Sequence, residues 1–137
     1  MNNQGVNPQR APIPLDIDRI AKLVVNAAFT VHSKLGPGLL ESVYEVCLTH
    51  EVEKRGEIVE RQVVLPIEYY GIRLESGLRL DLLIARCLPV ELKAVEVLLP
   101  VHDAQLLTYL KLTGYRLGLL INFNVPLIKD GIKRIAL

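Results

Sequence analysis

Residues 79–94, RLDLLIARCLPVELKA, alternate apolar and polar side chains twice, with a short break between the two runs. Successive side chains of a strand point to opposite faces. Leu80, Leu82, Ile84, Val90, Leu92 and Ala94 therefore share one face, and Arg79, Asp81, Glu91 and Lys93 share the other. A wholly apolar face has to be core. That requirement sets the turn: with an odd number of residues, Ala85-Arg86-Cys87, Asp81 stands opposite Glu91 on the exposed face. A two-residue turn would move Glu91 into the core, and burying an unpaired charge is costly.

The remaining elements arrange themselves around this hairpin of Leu78–Ile84 and Leu88–Ala94. Ile20, Val24, Ala27, Ala28, Val31 and Leu35 recur at helical spacing behind Asp16 or Asp18 as a cap, and Gly36-Pro37-Gly38 stops that helix. A second helix starts near Leu39, carries Leu40, Val43, Tyr44, Cys47 and Leu48 on one stripe, and ends at Gly56. From Arg61 to Tyr69 the period falls to two, and Pro66 holds part of that strand at a sheet edge. A third helix over Val101–Thr113 stops at Gly114, and strands Arg116–Phe123 and Ile132–Ala136 close the chain. The expected fold is α+β, a mixed sheet flanked by helices in the order ααβββαββ. Residues 1–14, polar and proline-rich, read as a flexible tail, with one domain over 15–137.

Composition narrows the class. Half of the 137 residues are hydrophobic and the mean hydropathy is +0.30. Even so, no run approaches the roughly 20 apolar residues of a membrane span. Such an apolar surplus predicts a homo-oligomer, with a symmetric dimer the plainest form. Sixteen basic residues against fifteen acidic ones leave no basic excess of the kind that marks nucleic-acid binders, although a local patch could still serve. Cys47 and Cys87 are far apart and outside metal-binding spacing. The N-terminal segment has no apolar signal core, so both thiols read as reduced in a cytoplasmic protein.

Asp81 and Glu91 carry the chemical argument. Two adjacent carboxylates repel each other unless a cation lies between them, and a hard divalent ion suits oxygen donors. Lys93 on the same face could offset charge developing at a phosphoryl group. Spacing alone favours a simpler arrangement, a solvated face on which Arg79 and Lys93 pair across the strands with Asp81 and Glu91.

Asp81 followed by Glu91-Leu92-Lys93 resembles the (P)D…(D/E)xK signature of the PD-(D/E)XK phosphodiesterases, with Leu80 where the signature has proline. Gly38-Leu39-Leu40-Glu41-Ser42-Val43-Tyr44, preceded by VHSKLGPG, resembles the namesake motif of the GxxExxY proteins. The blocks VELKAVEVLLPVHDAQLLTYLK, GLLINF and KDGIKRI extend that resemblance from about Ile17 to Ile135. It implies a nuclease-like fold and a nuclease that depends on Mg2+ or Mn2+ and acts on nucleic acid. Asp81, Glu91 and Glu41 would be the metal ligands, with Lys93 as the fourth catalytic residue. The rival reading is a catalytically silent nuclease-fold module for binding or assembly. Gln105 and Tyr109, four apart on one helix face, resemble a QxxxY element that borders the substrate. His32 matches a ligand of some branches, against the simpler role of completing a helix end; Tyr44 reads as core, and His102 as structural or surface. Gly36-Pro37-Gly38 lacks the strand and the Lys-Ser/Thr of a phosphate loop. Lys129, Lys133 and Arg134 form a small basic cluster that could meet a phosphate backbone.

Overall fold

Helix α1 (Leu15–Leu35) and helix α2 (Glu41–Lys54) form where the helical periodicity places them, and the turn between them is held from inside. Gly36 and Gly38 have φ of 69° and 97°, a region that a Cβ disfavours. The Tyr44 hydroxyl donates to the Gly36 carbonyl at 2.6 Å and accepts the Leu39 N–H at 3.1 Å. Its ring stacks on Phe123 with centroids 4.5 Å apart. Tyr44 is therefore a core and turn residue, as its place on the apolar stripe implies. α1 starts earlier than its expected cap: Pro14 precedes it, no side chain caps it, and Asp16 and Asp18 lie in the first turn. Asp18 instead pairs with Lys22 and Arg134. The structure, a computed structural model, describes residues 11–137. Residues 1–10 of the expected tail lie outside the described residues, and Ile13 packs against the main core.

Five strands follow, β1 (Val59–Tyr69), β2 (Ile72–Ile84), β3 (Leu88–Lys93), β4 (Leu117–Asn122) and β5 (Ile132–Ala136), in the spatial order β1-β2-β3-β4-β5. Helix α3 (Pro100–Thr113) makes the crossover that a parallel β3–β4 pair requires, and the other pairs are antiparallel. The fold is thus α+β with the expected order of elements. β2 begins at Ile72 instead of Leu78, because Tyr70-Gly71 makes a two-residue turn that lets Ile72 pair with Tyr69. The outer end of this hairpin is exposed, including Ile72 and Leu74 of β2.

α1 and α2 cover one face of the sheet and α3 the other. Leu82, Ile84, Val90, Leu92, Leu117, Leu119 and Ile121 join the helical residues Val24, Ala28 and Leu48 in one core. Leu120 faces Leu106 and Leu110 of α3. Fully burying side chains of this size stabilises by about 1.5–3 kcal/mol each. The expected apolar face of the hairpin holds with one exception: Leu80 leaves it for a second cluster with Leu78 and Leu83, against Tyr109 and Tyr115. Across from that stretch, Gln62 of β1 takes a φ of 52°, between the pairs Arg61↔Leu82 and Val63↔Leu80.

Candidate active site

The β2–β3 ladder runs Ile84↔Leu88, Leu83↔Pro89 and Leu82↔Val90, so the turn is Ala85–Cys87 and the continuing register sets Asp81 across from Glu91. At that point the strands stop pairing through their backbones. The Asp81 N–H donates to Glu91 Oε2 at 2.8 Å, and the Leu92 N–H donates to Asp81 Oδ2 at 2.9 Å. Where two strands separate, their backbone N–H groups still need acceptors, and a carboxylate is a strong one. The two acidic side chains therefore insert at the fork, only 8% and 5% exposed. This corrects the expectation of an open, solvated face. Each carboxylate has one oxygen engaged, and the other accepts no hydrogen bond among the described residues.

Burial without a full set of partners shows in the proton affinities. Burial, and then the neighbouring charge of Asp81, push Glu91 up to about 8; the Asp81 N–H and Lys93 pull the other way. Asp81 is raised chiefly by burial, against the Leu92 N–H and Lys93. Glu41, in the first turn of α2, is raised by burial and then by Asp81, and Lys93 lowers it. Asp81, Glu91, Glu41 and the half-buried Lys93 thus occupy one electrostatic neighbourhood. Arg79 and Lys93 make no ion pair with Asp81 or Glu91 among the described residues, so the cross-strand neutralisation favoured by spacing alone is not what forms. As the side chains stand, no three of the described His, Cys, Asp and Glu residues come close enough together to hold an ion.

From α3, the Gln105 Nε2 donates to the Tyr109 hydroxyl at 3.1 Å. The Tyr109 phenol is raised by burial and then by the charge of Glu91, with Asp81 adding a smaller push, which places it beside the fork. Tyr109 also packs with the apolar residues of α3 and β2.

Other candidates have structural duties. His32 Nε2 lies 2.8 Å from the Val125 carbonyl, so that nitrogen donates and ties α1 to the loop after β4. His102 Nδ1 accepts the Leu99 N–H at 3.0 Å and closes the start of α3. In the C-terminal basic cluster, Lys133 pairs with Asp103 and Arg134 with Asp18. A cavity of about 310 Å³ between α1 and α2 is lined by Val31, Lys34, Val46, Cys47 and His50, away from the fork.

The sequence reading missed Glu45, Arg61, Gln62 and Asn122. Glu45 is 7% exposed and accepts from Arg61 Nε at 3.1 Å, Arg61 Nη2 at 2.9 Å and Gln62 Nε2 at 2.6 Å. It follows Glu41 by one helical turn, a spacing that could have flagged it. Asn122, a lone amide in the apolar run LGLLINF, bonds both backbone groups of Val95 and so secures the chain just beyond Lys93.

A mixed sheet between helices, with two acidic side chains at an antiparallel fork and a lysine two residues past the second, defines a nuclease-like α+β protein. The pattern of the PD-(D/E)XK nuclease superfamily matches residues 18–135, and the chain belongs to that superfamily. No curated protein and no solved structure matches it.

Proposed function

We propose that this chain is a divalent-metal-dependent nuclease, of the GxxExxY kind, that hydrolyses phosphodiester bonds in nucleic acid. The observation that carries the reading is the pair of buried carboxylates, Asp81 and Glu91, each with one oxygen held by a backbone N–H and one left without a partner. These donors fit Mg2+ or Mn2+: they are hard oxygen ligands, and burial and mutual repulsion raise their proton affinities, a cost that a bound cation would offset. Asp81 and Glu91 would hold the ion, and Glu41 would complete the set by moving closer than it stands. When bound, such an ion supplies Lewis-acid polarisation and positive charge at the phosphoryl oxygens.

The chain's own groups supply the rest. Lys93 offsets negative charge gathering on the phosphoryl oxygens, a stabilisation that grows in the transition state. The backbone N–H groups of Asp81 and Leu92 fix the orientation of the two carboxylates, so no reorganisation is needed when the substrate arrives. Tyr109 accepts from Gln105, which leaves its own hydroxyl proton to donate to a substrate oxygen beside the fork. As supporting context, we place the protein in the cytoplasm as a single domain over 15–137. It self-associates, most simply as a dimer, through exposed apolar residues such as Tyr69, Tyr70, Ile72 and Leu74 at the β1–β2 tip.

The test is cleavage of single- and double-stranded DNA and RNA with Mg2+, Mn2+ or chelator, comparing wild type with Lys93→Ala. Metal-dependent cleavage that disappears in Lys93→Ala, with an unchanged unfolding midpoint, supports the reading. Cleavage that persists in chelator or in the variant identifies a contaminant. A second reading, the silent binding or assembly module, draws on the lack of a ready three-residue ligand group among the described residues. No cleavage together with no ion binding selects it.

A further inference from the structure

Glu45 is as buried as the site carboxylates but differently used, since both of its oxygens already have donors. Its charge is therefore already compensated within the chain. Its partners lie in β1: Gln62 sits across from Asp81 in the register, bracketed by Arg61↔Leu82 and Val63↔Leu80. Gln62 reaches Glu45 from a left-handed backbone, φ 52°, which costs a non-glycine residue on the order of 1–2 kcal/mol. Arg61 is 45% exposed, and an ion pair so open to water contributes only about 0–1 kcal/mol. Stability gained from the ion pair is thus too small to offset the strain at Gln62. What the contact does achieve is geometric. Glu41 and Glu45 are one turn apart on the same face of α2, and no side chain caps the first turn.

We propose that Glu45, held by Arg61 and Gln62, is a positioning residue that sets the distance of Glu41 from Asp81 across the β1–α2 contact. Tyr44 pins α2 on its core side through Phe123 and Gly36, and Glu45 pins the side facing β1. Gln62 stands in register with Asp81 and its side chain reaches Glu45, so one contact couples the fork to the helix that carries the third acidic group. The inference deepens the reading of Asp81, Glu91 and Glu41 as an ion site and rests on it.

The experiment is a double-mutant cycle read by Mn2+ calorimetry on wild type, Glu41→Gln, Glu45→Gln and the double variant. Glu45→Gln is expected to weaken Mn2+ binding about tenfold, the usual cost of disturbing a residue that supports a ligand. The double variant is expected to bind no more weakly than Glu41→Gln alone, because Glu45 acts through Glu41. Gln62→Gly, which suits a left-handed backbone but removes the bond to Glu45, is expected to weaken binding several-fold while keeping the unfolding midpoint. An equal tenfold loss in the Glu41→Gln background, or no loss in Glu45→Gln, overturns the proposal. If wild type binds no Mn2+, the ion-site reading fails and amide hydrogen exchange decides the positioning role by itself. Both Glu45→Gln and Gln62→Gly should then speed exchange at the Glu45 and Val46 amides roughly tenfold, with Leu119 and Leu120 unchanged. Unaltered exchange in the first turns of α2 would refute it.

Discussion

Two buried glutamates on neighbouring elements have opposite fates. Glu45 is 7% exposed and takes three hydrogen bonds from Arg61 and Gln62. Glu91 is 5% exposed and takes a single one, from the Asp81 N–H, with a second carboxylate alongside. Burying a carboxylate costs several kcal/mol unless donors or a counter-charge compensate. Glu45 is compensated within the chain, whereas Glu91 is pushed up to about 8. An acidic residue with all its donors in place belongs to the architecture. One left short of them, next to another of the same kind, has its charged form disfavoured, which is the feature the proposed ion site rests on.

The contrast breaks most visibly with pH. Glu91 ordinarily titrates near 4.5 and in the folded protein near 8. Between those values the folded state holds a proton that the unfolded chain has released, so stability falls as pH rises through the window. At 1.36 kcal/mol per pKa unit the loss is on the order of 5 kcal/mol, and the raised affinity of Asp81 acts in the same direction. Urea unfolding at pH 5 and pH 8.5 measures it in the metal-free protein; Glu91→Gln should flatten the dependence, and a flat wild-type profile would break the contrast. At pH 8 alone, the two glutamates should respond with opposite signs. Glu45→Ala is expected to lose no more than about 1 kcal/mol, because water can take up the exposed donors of Arg61 and Gln62, and Glu91→Gln to gain about 1–2 kcal/mol by removing a buried charge. A loss in both would make Glu91 structural too. The smallest effect belongs to Tyr109→Phe, which removes the bond from Gln105 but keeps the ring in its apolar cluster. It should change stability by less than about 1 kcal/mol and leave the pH profile in place, as thermal unfolding will show.

Much of this architecture could be read from residue patterns, since helical spacing in α1 and α2 and strict alternation in β2 and β3 are direct records of which face is buried. The register of Asp81 against Glu91 followed from the same alternation. What could not be read was the environment of those side chains. Alternation separates two faces without saying that α3 covers the second one, or that the strands part at Asp81 and draw the carboxylates between them. Gln62 is a similar case, because a left-handed φ in a strand of non-glycine residues leaves no mark in the sequence. Glu45 looked like any charge on a helix surface until Arg61 and Gln62 met it from β1. The outer half of β2, residues 72–77, was missed for the opposite reason: its apolar residues Ile72 and Leu74 are exposed, so burial could not guide the assignment.

Calorimetric titration of Mn2+ into the protein at pH 7, repeated in two buffers of different ionisation enthalpy, bears most directly on the role of the fork. Burial and the charge of Asp81 favour the protonated form of Glu91, and an ion needs it ionised. The account predicts binding with release of about one proton per ion, and loss of both the affinity and the proton release in Glu91→Gln. Binding whose heat is the same in both buffers and whose affinity survives Glu91→Gln would contradict it.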